Sequence, residues 1–223
     1  VSGALRLAVT LGVLLASGTG ACAACPDNGA SISVSRDDPE PAISSAPMAA
    51  LRNQMQAAAQ RTHGEHLGVT ASRVEWRMEL AARFLREPDG RVCAVADRVS
   101  IVLAHVEHAI RIAEEITPQG CLWREVLVHE QRHVAVNRTT LAQAELALRG
   151  AVTEWARRAR ARAVNAEAAT GLLQVSLRHA VEPHLAAMRR ARVEGHGRID
   201  TAAEYDRLAR ICPGDQRRLP PLR

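Results

Sequence analysis

A change of hydrophobic period constrains this chain more than any other feature. Val74, Trp76, Met78, Leu80, Ala82 and Phe84 alternate with Glu75, Arg77, Glu79 and Arg83. That alternation is the signature of a half-buried strand. Pro88-Asp89-Gly90 supplies a turn, and the chain from Val92 reads as the returning strand. Val99, Ile101 and Leu103 continue the alternation, and Ile110 with Ile112 suggests one more edge segment. Thr117-Pro118-Gln119-Gly120 then breaks the pattern. From Cys121 the period is helical almost to the end. Leu122, Val126, Val134, Leu141 and Leu148 line one long helix that Gly150 is expected to interrupt. Further helices are expected over 152–169 and 172–193, and a short last one within 199–212 with Asp200 or Thr201 as its N-cap. A small antiparallel sheet followed by a helical region is an α+β arrangement.

The N-terminal stretch calls for separate treatment. Arg6 precedes the apolar run Leu7 to Leu15, and Ala21-Cys22-Ala23 follows, the layout of a cleaved signal peptide. A lipid-modified Cys22 is disfavoured, because Thr19-Gly20-Ala21 lacks the large aliphatic residue such sites carry. The expected organisation is a signal at 1–23, an irregular lead-in at 24–46 with a short strand at 31–35, one domain at 47–212 and a tail at 213–223. Ala46-Pro47 opens the domain's first helix. Export to the periplasm or beyond makes Cys25, Cys93, Cys121 and Cys212 candidates for two disulfides. The expected pairs are Cys93–Cys121 and Cys25–Cys212, and no segment is expected to span a membrane.

The formal charge of +5 is carried by arginine alone, with no lysine in the chain. Arg157, Arg158, Arg160 and Arg162 form the densest cluster, but only 2% of residues are aromatic. With so few rings to stack on bases, the cluster reads as a solvated helix face and not as a nucleic-acid surface.

His129-Glu130-Gln131-Arg132-His133 lies inside the long helix. Residues i and i+4 share a helix face, so both imidazoles can reach one Zn²⁺. Glu130, one residue round, is placed to act as general base toward a zinc-activated water. At this histidine and glutamate content the motif arises by chance in roughly one chain in forty, so its helical setting carries weight. A third ligand must come from another element, because Asn137 and Glu145 continue along the helix away from the metal. His196, flanked by Gly195 and Gly197 in what reads as a turn, is preferred. Glu154 is the next candidate, followed by His105 and His108. His63 and His66 read as loop residues, and His179 and His184 as helix-surface ones.

Trp123-Arg124 ahead of His129-Glu130-Gln131-Arg132-His133-Val134, the Trp76-bearing strand and the late His196-Gly197 pair resemble a family of bacterial predicted secreted zinc-dependent proteases. Where that family has a Tyr-Asp pair just before its His-Gly, this chain has Asp200 and Tyr205 after it. The resemblance implies a zincin-like fold and peptidase activity. The resulting expectation is an exported zinc hydrolase acting on a peptide or protein that the sequence does not specify. The alternative is an exported metal- or partner-binding helical domain that cleaves nothing.

Overall fold

The computed structural model describes residues 25–27, 29–57 and 67–220. The expected signal peptide, His63 and His66 lie outside these. Two strands, β1 (Ser31–Asp37) and β2 (Ala42–Ala46), occupy the segment read as a lead-in. After α1 (Met48–Ala57) come β3 (Gly68–Arg86) and β4 (Val92–Ala113). They form one long antiparallel hairpin, paired from Gly68↔Ile112 to Arg86↔Val92. Its turn is closed by the Gly90 amide donating to the Glu87 carbonyl at 2.9 Å. The anticipated extra edge segment at Ile110 and Ile112 is the far end of β4 itself, carried on past a bulge at Val106, the β4 residue left unpaired opposite Arg73 and Val74.

The other edge of β4 is covered in relay. β5 (Arg160–Ala163) pairs antiparallel with Val92–Val95, whereas β1 pairs parallel with Arg98–Ala104 and β2 parallel with Ala109–Ala113. Three short strands thus shield one long edge that would otherwise invite pairing with another chain.

The helical region begins with α2 (Cys121–Arg158), whose 38 residues run roughly 57 Å. Gly150 does not interrupt it. Leu148 and Val152, on either side, are fully buried, and their packing outweighs the roughly 1 kcal/mol cost of a helical glycine. The helix expected over 152–169 is therefore three things: the end of α2, then β5, then the first turn of the next helix. Asn165 next caps α3 (Ala166–Ile199), accepting from the Ala168 amide at 2.8 Å. α3 runs back along α2, and α4 (Ala202–Arg210) and α5 (Pro213–Gln216) complete the chain. Gly120 gives α2 no side-chain cap, and Asp215 of α5 supplies one, its Oδ2 accepting from the Leu122 amide at 3.0 Å.

The disulfides are Cys25–Cys93 and Cys121–Cys212, not the expected pairs. Cys93 opens β4 and Cys121 opens α2, so the length of β4, roughly 65 Å, separates them. Bridges of this kind belong to an oxidising, non-cytoplasmic compartment.

Two apolar cores result. One packs Val99, Ile101 and Leu103 against Leu141, Leu148, Leu173, Leu177 and Leu185. The other packs Ile110, Ile112 and Leu67 against Leu122, Val126 and Val134. Each fully buried leucine or isoleucine contributes about 1.5–3 kcal/mol. Between the cores runs a polar seam. His105 and His108 on β4 and Asn137 and Thr140 on α2 are buried between the stretches that supply the two cores, and the buried His129, Glu130 and His133 adjoin them on α2, between Val126 and Val134 of the second core.

Candidate metal centre

His129 and His133 project from one face of α2 into this seam, their Nε2 atoms 3.3 Å apart. Asp200 closes the triangle, its Oδ1 standing 3.3 Å from His129 Nε2 and 3.1 Å from His133 Nε2. Four ligands at 2.0–2.1 Å around a tetrahedral zinc are separated by about 3.3–3.4 Å, so the three atoms match one face of that tetrahedron. Two imidazoles and a carboxylate also suit zinc chemically. With Glu130 between the histidines, the donor set is that of a metallopeptidase-like site.

Asp200 arrives through the geometry of α3. It is the C-cap of that helix, its amide donating to the His196 carbonyl at 3.0 Å. Thr201 next caps α4, accepting from the Glu204 amide at 3.2 Å. Close passage of α3 over α2 makes this reach feasible. A Cβ on Gly195 would lie 2.6 Å from Val136 Cγ1, so only glycine allows that approach. Burial works against the Asp200 carboxylate. Hydrogen bonds from His129 and His133 nevertheless hold its pKa far below the usual range. Tyr205 Oη donates to the same Oδ1 at 3.2 Å, and burial together with Asp200 keeps that phenol protonated well beyond its ordinary range.

Each ring is held from behind. Glu204 Oε1 lies 3.3 Å and Arg132 Nη2 2.9 Å from His129 Nδ1, so this pair holds the ring from behind and turns Nε2 toward Asp200. Glu204 itself is anchored by Arg132 and Arg207, and the hydrogen bond from Arg207 is the main reason its pKa drops to about 2. His133 Nδ1 lies 2.8 Å from His196 Nδ1, and His196 Nε2 lies 3.1 Å from Asn137 Oδ1. Arg192 also donates to Asn137 Oδ1, at 2.9 Å, and to Ser72 Oγ, at 2.8 Å. An amide oxygen only accepts, so His196 carries its proton on Nε2 and receives the His133 Nδ1–H on Nδ1. Burial, then the neighbouring His133 and Arg192, lower the His196 pKa to about 4, which keeps that ring neutral.

Glu130 is almost wholly buried against the start of β3. Thr70 Oγ1 donates to its Oε2 at 2.7 Å. A Cβ on Gly68 would lie 2.8 Å from Glu130 Oε1 and 2.6 Å from Val126 Cγ1, so the strand needs glycine to seat this carboxylate. Burial raises its pKa, opposed by His133, Thr70 and His129.

The structure therefore brings together His129, Glu130 and His133, and adds Asp200. His196 stands in the last turn of α3, not in a turn between elements, with both ring nitrogens engaged behind His133. Glu154 pairs with Arg157 and Arg158 near the far end of α2, and Glu145 pairs with Arg36 and Arg149. His105 and His108 group with Asp38 instead. His179 is exposed and His184 half-buried on α3. Sequence reading treated Asp200 as a cap and left Thr70 and Glu204 unread. The one available signal was Thr201-x-x-Glu204, a capping box whose glutamate turns here to His129.

No protein-family profile, curated protein or solved structure matches the chain. Among the described residues no helix is long and apolar enough to cross a membrane.

Proposed function

We propose that this chain is a zinc-dependent peptidase of the periplasm or extracellular space. The ligands are His129, His133 and Asp200, and Glu130 is the general base. The observation that carries this is the near-equilateral triangle of two Nε2 atoms and one Oδ1 on an H-E-x-x-H helix. The two disulfides, the N-terminal signal pattern and the resemblance to predicted secreted bacterial zinc proteases support the same reading. Asp200, rather than His196, is taken as the third ligand, because His196 is occupied by His133 and Asn137.

Bound zinc would polarise the scissile carbonyl and acidify a water. The protein's own groups do the rest. Burial raises the affinity of Glu130 for a proton, so it can take one from the attacking water and pass it to the leaving amine. Asp200 is ionised, its pKa lying well below the ordinary carboxylate range, and Tyr205 stays protonated as a donor beside it. Glu204 and His196 fix the orientation of the two rings.

Metal analysis of the purified oxidised protein, with hydrolysis of a broad peptide library, tests the reading. Glu130→Gln should retain metal and lose hydrolysis by about 10²–10⁴-fold, the usual worth of a positioned acid–base group. Zinc retained without hydrolysis in the wild type would make the site structural. No zinc in the wild type would end the proposal.

A further inference from the structure

A second group of metal-competent side chains lies further along the seam. His105 and His108, three residues apart on β4, have side chains 0% and 1% exposed. Their rings stack with centroids 4.3 Å apart. Asp38, in the connection between β1 and β2, places Oδ1 2.9 Å from His105 Nδ1. The Pro39 carbonyl lies 3.3 Å from His108 Nδ1. Donor atoms of the three side chains fall within 4.8 Å of one another.

The tautomers follow from the partners. An ionised carboxylate and a carbonyl oxygen only accept, so each Nδ1 carries the proton and each Nε2 is a bare lone pair. Both Nε2 atoms are buried, and neither has a hydrogen-bond partner. Protonation does not meet that need, since burial lowers the pKa of both rings and keeps them neutral. A carboxylate or carbonyl on Nδ1 with Nε2 left bare is how ligating histidines are commonly held. Arg138 fixes Asp38 from its other oxygen, donating to Oδ2 at 3.3 Å. Arg192, bonded to Asn137 and to Ser72, lies near enough for its charge to act on His105 and His108 as well as on His196. Cationic neighbours disfavour a hard ion that binds through charge and oxygen. Imidazole nitrogens favour a late first-row metal.

We propose that His105 and His108, oriented by Asp38 and Pro39, form a second site for one late first-row transition-metal ion, separate from the His129–His133–Asp200 centre. The ion would fix the two rings on β4 whose Nδ1–H groups hold Asp38 and Pro39 of the β1–β2 connection, a structural duty that leaves peptide hydrolysis to the first site.

Metal-stripped, oxidised full chain titrated with Zn²⁺, and in parallel with Co²⁺ for its visible absorption, provides the test. Two equivalents per chain are expected. His129→Ala with His133→Ala should keep one, and His105→Gln with His108→Gln should keep the other together with hydrolysis. Asp38→Asn should weaken the second equivalent by about 10–100-fold, as for other groups that orient a ligand. Circular dichroism checks folding, and if the glutamine pair does not fold, the alanine pair decides alone. Absence of bound metal in the folded His129→Ala, His133→Ala protein overturns the proposal. A wild type whose single equivalent survives that pair but vanishes with His105→Gln and His108→Gln upholds it and removes the peptidase reading instead.

Discussion

Replacing Asp200 with alanine tests the metal centre most sharply, because it sets the carboxylate against the nearby His196. A structural zinc site gains about 10–16 kcal/mol from four ligands, so removing one costs roughly 3 kcal/mol, on the order of a hundredfold in affinity. In this structure Asp200 Oδ1 is one vertex of a triangle with sides of 3.1–3.3 Å. His196→Ala acts differently. It leaves all three vertices and removes only the acceptor behind His133 Nδ1, an outer contact usually worth about tenfold or somewhat more. Competition with a chromophoric chelator at fixed pH measures both variants. The expected order is a larger loss for Asp200→Ala than for His196→Ala, with Asp200→Ala also losing hydrolysis. A hundredfold loss for His196→Ala beside less than threefold for Asp200→Ala would refute the assignment and make the imidazole the ligand.

Other outcomes follow from the same packing. Gly68→Ala should destabilise the fold by about 1–3 kcal/mol in urea titration and depress turnover more than metal affinity, because the added methyl meets Glu130 and Val126. Cys121→Ser with Cys212→Ser, opening a loop of sequence separation 91, should cost about 2–4 kcal/mol and loosen zinc as α4 is released. Glu204, held at a pKa of about 2 against an ordinary 4.5, contributes stability that is complete above 4.5 and lost as the pH falls toward 2. The urea midpoint of the metal-free protein should fall over that window, and Glu204→Gln should flatten the fall; an unchanged slope would count against the Glu204 contacts.

Local pattern announced much of this molecule. The alternation from Val74 gave the hairpin, and the helical period from Cys121 placed His129 and His133 on one face, because both signals are written in neighbouring residues. Relations between distant segments were hidden. Asp200 reaches the site only because α3 runs back along α2 and ends level with His133. Gly150 looked like a break because propensity speaks of one residue, whereas Leu148 and Val152 decide by being buried. β5 carried a visible clue: Arg160-Ala161-Arg162-Ala163 alternates with period two, and Ala161 is buried. The density of arginine made it resemble a solvated helix face. Disulfide pairing was not legible, since four cysteines allow three connectivities and only the length of β4 excludes Cys93–Cys121.

The first site is mechanically uneven. Its two imidazoles ride on a rod clamped by a packed core on either side, so their spacing is as stiff as the helix. Asp200 rides on a joint, the two residues Asp200 and Thr201 between α3 and α4, and its own φ is −80° and ψ 61°. Rotation there swings the carboxylate aside without breaking either helix. The residence time of an ion is then governed by how often that joint unlatches, and the bridge from Cys121 to Cys212, tying the far end of α4 to the start of α2, limits how far it opens.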